Sequence, residues 1–380
     1  MRPLPSALAK ALLLGAGTFV GLAGAELLIR VTNGARYAER PTFYPKDDSL
    51  GWAPAPGLND VYYGEDFAIT VATDADGARL GRLGVPQAGA PRVVLLGDSY
   101  TFGWGVSTEE TFASLLDDLM AEHDELAGSR TVNLGVGGYG TLQSAVRLER
   151  YLADHSTVPV RAVVLLHSHN DPSDNVLYAA VRSGLREYIE RPRNRGLHLH
   201  NLVRFLADGL ARRSEAPAGT LPGGHRDFLY TVGAFLTEEG KAVDTFEGAP
   251  PGSAAELLAS EQEVLPTYDR ASLTRLQLEL VRESVARVDR AAAERSVPVL
   301  HAVIHSAPDW YVTPLRTLVE EDASLHTGAS WCGRVPAFDE YEGPYYNEHS
   351  GSHFSPELNA YYARKLLGWL EQGGCRPDAP

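Results

Sequence analysis

Apolar and polar residues follow one another along this chain in an order that predicts strands alternating with helices. The predicted buried strands are short apolar runs at Val93–Leu96, Thr131–Leu134, Val158–Leu166 and Val297–Ile304. The predicted helices carry apolar residues at helical spacing, at Phe112–Leu119, Leu142–Leu152 and Ser272–Ala293. Apolar runs without alternation are typical of strands covered on both faces. We therefore predict an α/β fold, a doubly wound parallel sheet with right-handed crossovers.

Both ends of this pattern carry helix-start signals. Ser107 and Glu110 have the spacing of a capping box, which predicts a helix start shortly after the first strand. Near the carboxyl end, Ser355 followed by Pro356 predicts the capped start of a last helix. A short fifth strand is predicted before it, at Val335–Phe338.

Residues 1–30 predict a membrane segment. Ala11–Ala25 is apolar without interruption, and Leu27–Ile29 continues the run after Glu26. The whole segment is long enough to span a bilayer, and the positive charges of Arg2 and Lys10 place its amino end inside. We favour this uncleaved anchor over a signal peptide cleaved at the end of the first run. Both interpretations predict that the rest of the chain is exported, to the periplasm or the cell surface.

The remaining chain divides into a core and two additions. Residues 31–90 form a proline-containing extension in which the sequence shows no chemistry, and residues 91–171 and 270–372 carry the strand–helix pattern. Residues 172–269 break this pattern with loops rich in proline and glycine, which predicts a large insertion after the third strand. Two roles remain possible for this insertion: a lid that shapes the substrate site, or a purely structural appendage.

Net charge limits the classes of binding partner, and cysteine content limits the possible zinc sites and disulfides. The chain has 34 basic and 49 acidic residues, a net charge of −15, which argues against nucleic acid and anionic lipid head groups as partners. Two cysteines, Cys332 and Cys375, leave no zinc framework, and they either pair or stay as thiols. Because both lie in the exported part and flank His353, we predict a disulfide. No protein partner is predicted.

Four groups of residues suit ester chemistry. Gly97-Asp98-Ser99 ends the first strand, so Ser99 lies at the carboxyl edge of the sheet, where α/β proteins bind ligands. Gly135–Gly140 offers backbone N–H groups after the second strand, and Asn170 offers an amide after the third. His353 precedes the last helix. A serine in this position is a nucleophile if a base reaches it and N–H donors face the developing oxyanion.

These groups resemble the sequence blocks of the SGNH, or GDSL-type, hydrolases. Gly97–Gly103 resembles the first block, with Tyr100 in place of the usual leucine. Asn133–Thr141 resembles the second block. Ser168–Asp171 resembles the third, with serine in place of its first glycine, and His353 matches the histidine of the last. The resemblance covers residues 92–171 and 272–370.

The resemblance implies a flavodoxin-like strand order and a serine esterase, or acyl hydrolase, that needs no metal or cofactor. Ser99 would be the nucleophile and His353 the general base. The N–H groups of Ser99 and Gly138 and the amide of Asn170 would form the oxyanion hole. The substrate would be a small-molecule or glycan ester, and exported, anchored relatives suggest O-acyl groups, acetyl among them, on envelope carbohydrates.

Other interpretations stay open at this point. The same site would serve an O-acyltransferase, and a degenerate site would suit a carbohydrate-binding module. Gly135–Gly140 also matches the fingerprint of an NAD-dependent oxidoreductase, although it follows the second strand instead of the first. Histidine pairs, among them His167 with His169 and His301 with His305, could suggest a metal site. No carboxylate cluster stands beside them, so we interpret them as core or rim residues.

The last block departs from the family at the residue that orients the histidine. Ser350 stands where the family has an aspartate, which normally fixes the imidazole tautomer and stabilises the imidazolium. We expect a backbone carbonyl to accept the Nδ1 proton of His353. The alternative is a displaced carboxylate, from Glu348 or Asp339.

Overall fold

The computed structural model of the chain describes residues 6–38, 42–63, 67–168, 170–182, 197–214, 270–304, 331–335, 343–344, 346 and 353–375. Its elements in chain order are α1 (Ser6–Tyr37), β1 (Lys46–Asp47), β2 (Gly51–Trp52), β3 (Asn59–Tyr63), β4 (Ala68–Ala72), β5 (Arg92–Leu96), α2 (Ser99–Phe102), a 3₁₀ turn (Thr108–Glu110), α3 (Phe112–Ala121), β6 (Arg130–Asn133), α4 (Thr141–Asp154), β7 (Val160–His167), α5 (Asp171–Arg182), α6 (His198–Ser214), α7 (Arg270–Ala293), β8 (Val299–Ile304), β9 (Trp331–Val335) and α8 (Pro356–Glu371). Helices α1 and α6 belong to one compact unit, and the elements from β1 to α5 and from α7 to α8 belong to another.

A parallel sheet of five strands forms the centre of the larger unit, in the order β6-β5-β7-β8-β9. Strand β5 pairs with β6 on one side, where Leu95 faces Asn133, and with β7 on the other, where Leu96 faces Leu165. The chain therefore leaves β5 in one direction and later returns on its other side, which makes a topological switch point at the carboxyl end of β5. The predicted doubly wound sheet and its flavodoxin-like order are confirmed.

Each central strand contributes alternate side chains to two apolar cores. Leu95 and Val164 belong to the core that the sheet shares with α3 and α8. Val94 and Leu165 belong to the core on the opposite face, shared with α4 and α7. Because both faces are covered by helices, every position of β5 is buried, which accounts for its uninterrupted apolar run.

The helix predicted at Ser107 begins later than the sequence indicates. Glu110 Oε2 accepts the N–H of Ser107 at 3.0 Å, so the capping box forms, but it starts only a 3₁₀ turn. Thr111 then adopts an extended backbone, and its hydroxyl accepts the N–H of Ser114 at 3.2 Å. Helix α3 starts from this second cap, because a threonine hydroxyl at this position satisfies an otherwise unpaired N–H group.

The fifth strand lies earlier in the chain than predicted. Strand β9 is Trp331–Val335, and of the predicted Val335–Phe338 only Val335 belongs to it, the rest lying outside the described residues. Trp331 begins the strand with its ring stacked on that of His301, at 5.9 Å between centroids. The segment contains glycine and arginine, so it has no apolar run that would identify it from the sequence.

The extension packs on the core around the loop that follows α2. The N–H of Arg79 donates to the carbonyl of Asn133 at 3.0 Å, beside the edge strand β6. The buried guanidinium of Arg79 donates to the carbonyls of Phe102 and Val106, both at 2.8 Å. A cation shielded from water is stabilised here by carbonyl dipoles, and it fixes the end of α2 to the extension.

The smaller unit joins the amino-terminal helix α1 to helix α6. Glu26 Oε1 accepts the N–H of His198 at 3.1 Å, and Oε2 accepts that of Leu199 at 2.8 Å, so a side chain of α1 caps α6. Within α1, Ala9–Tyr37 is long and apolar enough to cross a membrane, a test that a signal sequence also passes. Helix α6, which lies within the insertion predicted at residues 172–269, therefore contacts α1. Helix α5, at the start of that insertion, belongs to the larger unit and packs on α4 and α7.

Cys332 and Cys375 form a disulfide, as predicted. Their Cα atoms are 5.0 Å apart and the bridge spans 43 positions of sequence. It joins β9 to the residues that follow α8, and the buried side of the bridge packs in the core shared by α3 and α8. The segment that carries His353 is thus tied to the sheet at both of its ends.

We expect replacement of both cysteines by alanine to lower the free energy of unfolding by about 4 kcal/mol, since the bridge closes a loop of 43 residues. Urea unfolding of the wild type and of the Cys332→Ala/Cys375→Ala variant measures the difference. A reducing agent should lower the free energy of unfolding of the wild type by a similar amount and leave that of the variant unchanged. Equal unfolding midpoints for oxidised wild type and variant would contradict the prediction.

Candidate active site

Ser99 lies where β5 gives way to α2. The carboxylate of Asp98 caps α2 by accepting the N–H of Tyr100 at 2.9 Å, and Ser99 is the first residue of the helix. The hydroxyl is therefore held at the carboxyl edge of the sheet, at the switch point between β6 and β7. This is the position that the sequence predicts for the nucleophile.

His353 reaches Ser99 from the far end of the chain. Its Nε2 atom lies 3.0 Å from Ser99 Oγ, so the hydroxyl can donate to the ring when the histidine carries its proton on Nδ1. The ring of Tyr100 lies 5.2 Å from the imidazole and 4.8 Å from the ring of Phe354. Phe354 in turn stacks on Tyr362 of α8, at 4.8 Å. Tyr100, which replaces the usual leucine of the family, thus helps to place the histidine.

The predicted glycine loop passes close to Ser99. A Cβ atom built on Gly137 would lie 3.9 Å from Ser99 Cβ. Gly138 has φ of +76°, a left-handed conformation that residues with side chains rarely adopt. Among the residues that the structure describes, none accepts a hydrogen bond from the N–H of Ser99 or of Gly138. Within the described part of the chain, both predicted oxyanion donors are therefore without an acceptor.

The outer glycines of this loop are required by close packing. A Cβ on Gly135 would approach the backbone nitrogen of Phe102 to 2.5 Å, and one on Gly140 would approach that of Asn175 to 2.7 Å. These contacts are with α2 and α5, so the two glycines let the loop fit between these helices.

Asn170 follows β7, as predicted, and its side chain is engaged within the protein. Its amide Nδ2 donates to Asp174 Oδ2 at 2.5 Å, and its Oδ1 lies 2.8 Å from the hydroxyl of Ser168. Ser168, the serine that replaces the family's glycine, also lies 2.8 Å from Asp98 Oδ2 and 3.0 Å from Asp171 Oδ1. The third predicted donor is therefore engaged with a buried group of carboxyls behind the nucleophile.

The match to a protein family decides the class of this site. A family model described as the GDSL-like Lipase/Acylhydrolase family matches residues 95–329, more than half of the chain. The chain belongs to this family. It is therefore a hydrolase of ester bonds. The matched range ends before His353. The assignment of this histidine to the site therefore depends on the contact between its Nε2 atom and Ser99 Oγ.

Solved structures similar to this hydrolase have low sequence identity to it. The structure of TesA is 12% identical and has a TM-score of 0.34, with 73% of this chain and 96% of that chain covered. A lipolytic G-D-S-L family protein from Veillonella parvula DSM 2008 is 14% identical, with a TM-score of 0.25 and coverage of 73% and 99%. An acetyl xylan esterase (Est2A) from the rumen bacterium Butyrivibrio proteoclasticus is 11% identical, with a TM-score of 0.32 and coverage of 76% and 65%. A search of curated proteins found no match.

Three buried carboxyls near Ser99, those of Asp98, Asp171 and Asp174, have raised pKa values. Burial raises the pKa of Asp98 to about 6 and that of Asp174 to about 8. Burial, together with the nearby charge of Asp98, raises the pKa of Asp171 well above its ordinary value. The geometry agrees, because the single proton of the Ser168 hydroxyl cannot serve three oxygen neighbours within 3.0 Å. At least one neighbouring group must donate.

His167 and His301, one residue from each of two histidine pairs in the sequence, lie next to each other in the fold. His167 Nε2 is 3.3 Å from His301 Nδ1, and His301 Nε2 is 2.9 Å from Asp289 Oδ1. Burial lowers the pKa of His167 well below its ordinary value, with the neighbouring His301 as a second cause. In the described part of the chain, no group of three or more histidine, cysteine or acidic residues could hold a metal ion. His169 and His305, as well as Glu348, Asp339 and Ser350, lie outside the described residues.

The raised pKa of Asp174 predicts how stability depends on pH. Between the ordinary carboxyl value of 3.8 and about 8, the folded hydrolase binds a proton that the unfolded chain does not. The free energy of unfolding should therefore fall as pH rises through this window. Asp174→Asn keeps an oxygen for the amide of Asn170 and carries no charge, so it should stabilise the protein at pH 8.5 and change little at pH 4.

Urea unfolding at both pH values measures this effect. Asp124→Asn, the same change at an exposed carboxyl, is the control and should shift neither midpoint. An Asp174→Asn variant that is less stable than the wild type at pH 8.5 would contradict the prediction. It would show that the ionised carboxylate of Asp174 stabilises the folded state.

Proposed function

We propose that this hydrolase cleaves carboxylic esters with Ser99 as the nucleophile and His353 as the general base. The observation that carries the proposal is the distance of 3.0 Å between His353 Nε2 and Ser99 Oγ. His353 takes the hydroxyl proton while Ser99 Oγ attacks the ester carbonyl carbon, and it returns the proton to the leaving alkoxide. Water, activated by the same imidazole, then attacks the acyl-enzyme, and the carboxylic acid leaves.

The proposed oxyanion hole uses the backbone N–H groups of Ser99 and Gly138. Each such donor typically contributes about 3 kcal/mol of transition-state stabilisation. The amide of Asn170 is the proposed third donor, and it must first turn away from Asp174, to which it donates. Because the pKa of Asp174 is raised to about 8, its carboxyl is mostly neutral near pH 7. A neutral acceptor holds the amide less strongly than a carboxylate, so this turn costs less.

The proposed substrates are O-acyl groups, acetyl among them, on envelope carbohydrates. An amino-terminal helix apolar enough to cross a membrane supports a catalytic domain held at the outer side of that membrane, periplasmic or at the cell surface. The acidic net charge of −15 agrees with a neutral substrate rather than a polyanionic one. The same acyl-enzyme would serve an O-acyltransferase if a sugar hydroxyl replaced water.

A substrate screen separates these activities. The purified protein is offered acetylated glycans and short-chain and long-chain esters, and both released acid and acyl groups on an added acceptor glycan are measured. Release of acetate from glycans in preference to release of long-chain acids supports the proposed substrate. Preference for long-chain esters contradicts it, and acyl groups on the acceptor indicate transfer.

We expect a fluorophosphonate probe to label the wild type and not Ser99→Ala, because the probe reacts with an activated serine. Mass spectrometry of the labelled peptide identifies the modified residue. Ser129→Ala is the matched control, since the buried Ser129 hydroxyl has no hydrogen-bond partner in the described part of the chain. It should be labelled like the wild type. Labelling of another serine in Ser99→Ala would overturn the assignment of the nucleophile.

The group that orients His353 is tested by removing the two candidate carboxylates. If a backbone carbonyl accepts the Nδ1 proton, Glu348→Gln and Asp339→Asn should each retain most of kcat, while His353→Ala loses it. Steady-state kinetics on the best ester from the screen gives the comparison. If one of the carboxylate variants loses as much kcat as His353→Ala and stays folded, that carboxylate completes a displaced triad.

A further inference from the structure

The peptide unit between Gly137 and Gly138 is held at its carbonyl end by a residue of the extension. The indole Nε1–H of Trp52 donates to the carbonyl oxygen of Gly137 at 3.2 Å. In a planar trans peptide the carbonyl oxygen and the following N–H point in opposite directions. The indole therefore fixes the direction of the Gly138 N–H, which is the oxyanion donor in the proposed function.

This peptide unit needs an external restraint. It joins two glycines, and Gly138 has φ of +76°, so no Cβ atom limits rotation of the peptide plane on either side. A flipped plane would present the carbonyl oxygen of Gly137 to the oxyanion instead of the N–H of Gly138. Replacing a donor by an acceptor at this point would raise the barrier to acyl transfer.

The preceding peptide unit is restrained in a similar way. The N–H of Gly137 donates to the hydroxyl oxygen of Tyr44 at 3.3 Å. Burial raises the pKa of the Tyr44 phenol above its ordinary value, so the hydroxyl stays protonated near neutral pH. Both polar groups of Gly137 are thus bound by aromatic side chains of the extension.

Trp52 is itself firmly placed. Its side chain is buried, and its ring meets that of Tyr139 edge-on at 5.7 Å between centroids. The hydroxyl of Tyr139 donates to the backbone carbonyl of Trp52. Two residues earlier, the carbonyl of Leu50 accepts the side-chain amide of Gln143 in α4 at 2.8 Å. The indole is therefore a fixed donor that requires no rearrangement when the oxyanion forms.

We propose that Trp52 is a positioning residue for the oxyanion hole, a role that rests on the proposed function. It acts through the Gly137–Gly138 peptide and does not touch the reacting atoms. The hydrogen bond selects one orientation of the peptide plane, and it also polarises the unit so that the Gly138 N–H is a stronger donor. The extension therefore takes part in catalysis, which the sequence did not indicate.

Trp52→Phe tests the proposal, because phenylalanine keeps an aromatic ring and removes the N–H donor. We expect kcat to fall by about tenfold or more with KM nearly unchanged, as for weakening of a donor that acts in the transition state. Trp369→Phe is the matched control, since Trp369 lies on α8 and packs against the core away from Ser99. It should keep the wild-type kcat.

The ratio of oxoester to thionoester turnover separates positioning from a loss of folded protein. A thiono substrate places sulfur, a poor hydrogen-bond acceptor, in the oxyanion hole, so an intact hole favours the oxoester. Trp52→Phe should lower this ratio, whereas partial unfolding lowers both rates equally and leaves the ratio unchanged. If phenylalanine leaves a cavity that prevents folding, benzothienylalanine at position 52 keeps the shape of the indole and replaces its N–H by sulfur.

The outcomes distinguish this inference from the proposed function. If Ser99→Ala and His353→Ala lose activity but both variants of Trp52 keep the wild-type kcat and ratio, the positioning role is wrong and the proposed function stands. If Ser99→Ala keeps the wild-type activity, Ser99 is not the nucleophile. The proposed function is then wrong, whatever the Trp52 variants show. A lower ratio in both Trp52 variants, with the control unchanged, supports the role of the indole.

Discussion

The contact between Ser99 and His353 joins residues 254 positions apart, and the fold is arranged to make that contact close. The switch point of the sheet exposes the end of β5, and the capping carboxylate of Asp98 starts α2 at the nucleophile. On the other side, the stack of Phe354 on Tyr362 ties His353 to α8. The disulfide then joins the end of α8 to β9. Together these restraints reduce the loop-closure entropy that bringing His353 to Ser99 costs.

The sequence predicts those parts of the molecule whose signal is local. Buried strands appear as apolar runs because both faces of the sheet are covered, and the start of α8 appears in Ser355, whose hydroxyl accepts the N–H of Leu358 at 3.0 Å. Strand β9 escapes prediction because stacking of Trp331 on His301, a residue far away in sequence, stabilises a segment with little apolar character. The late start of α3 has a local origin. Two competing helix caps, Ser107 and Thr111, stand four residues apart, and the helix starts from the second.

The site shows the same division between local and distant determinants. Ser99, Gly138 and His353 stand in recognisable blocks, and the structure brings them to one edge of the sheet. The role of Ser168 could be suspected only from its replacement of a glycine, because one of its oxygen partners, Asp98, is 70 positions away in sequence. The contacts of Tyr44 and Trp52 have no sequence signal, since they span 93 and 85 positions and involve backbone atoms of glycine.

Two of the three departures from the family's blocks, Tyr100 and Ser168, have physical reasons within this fold. Tyr100 replaces a leucine and supplies a larger ring that contacts both His353 and Phe354. Ser168 replaces a glycine and puts a hydroxyl among carboxyls that are cut off from water, where a small polar group can share a proton between them.

The docking of the extension on the glycine loop determines where this enzyme can be shortened. A fragment trimmed to the strand–helix pattern, from residue 91 onward, would keep the nucleophile and the whole parallel sheet. It would lose the phenol and the indole that bind Gly137, and the guanidinium that holds the end of α2. The smallest form that keeps these contacts therefore starts no later than Tyr44, about fifty residues before the first sequence block.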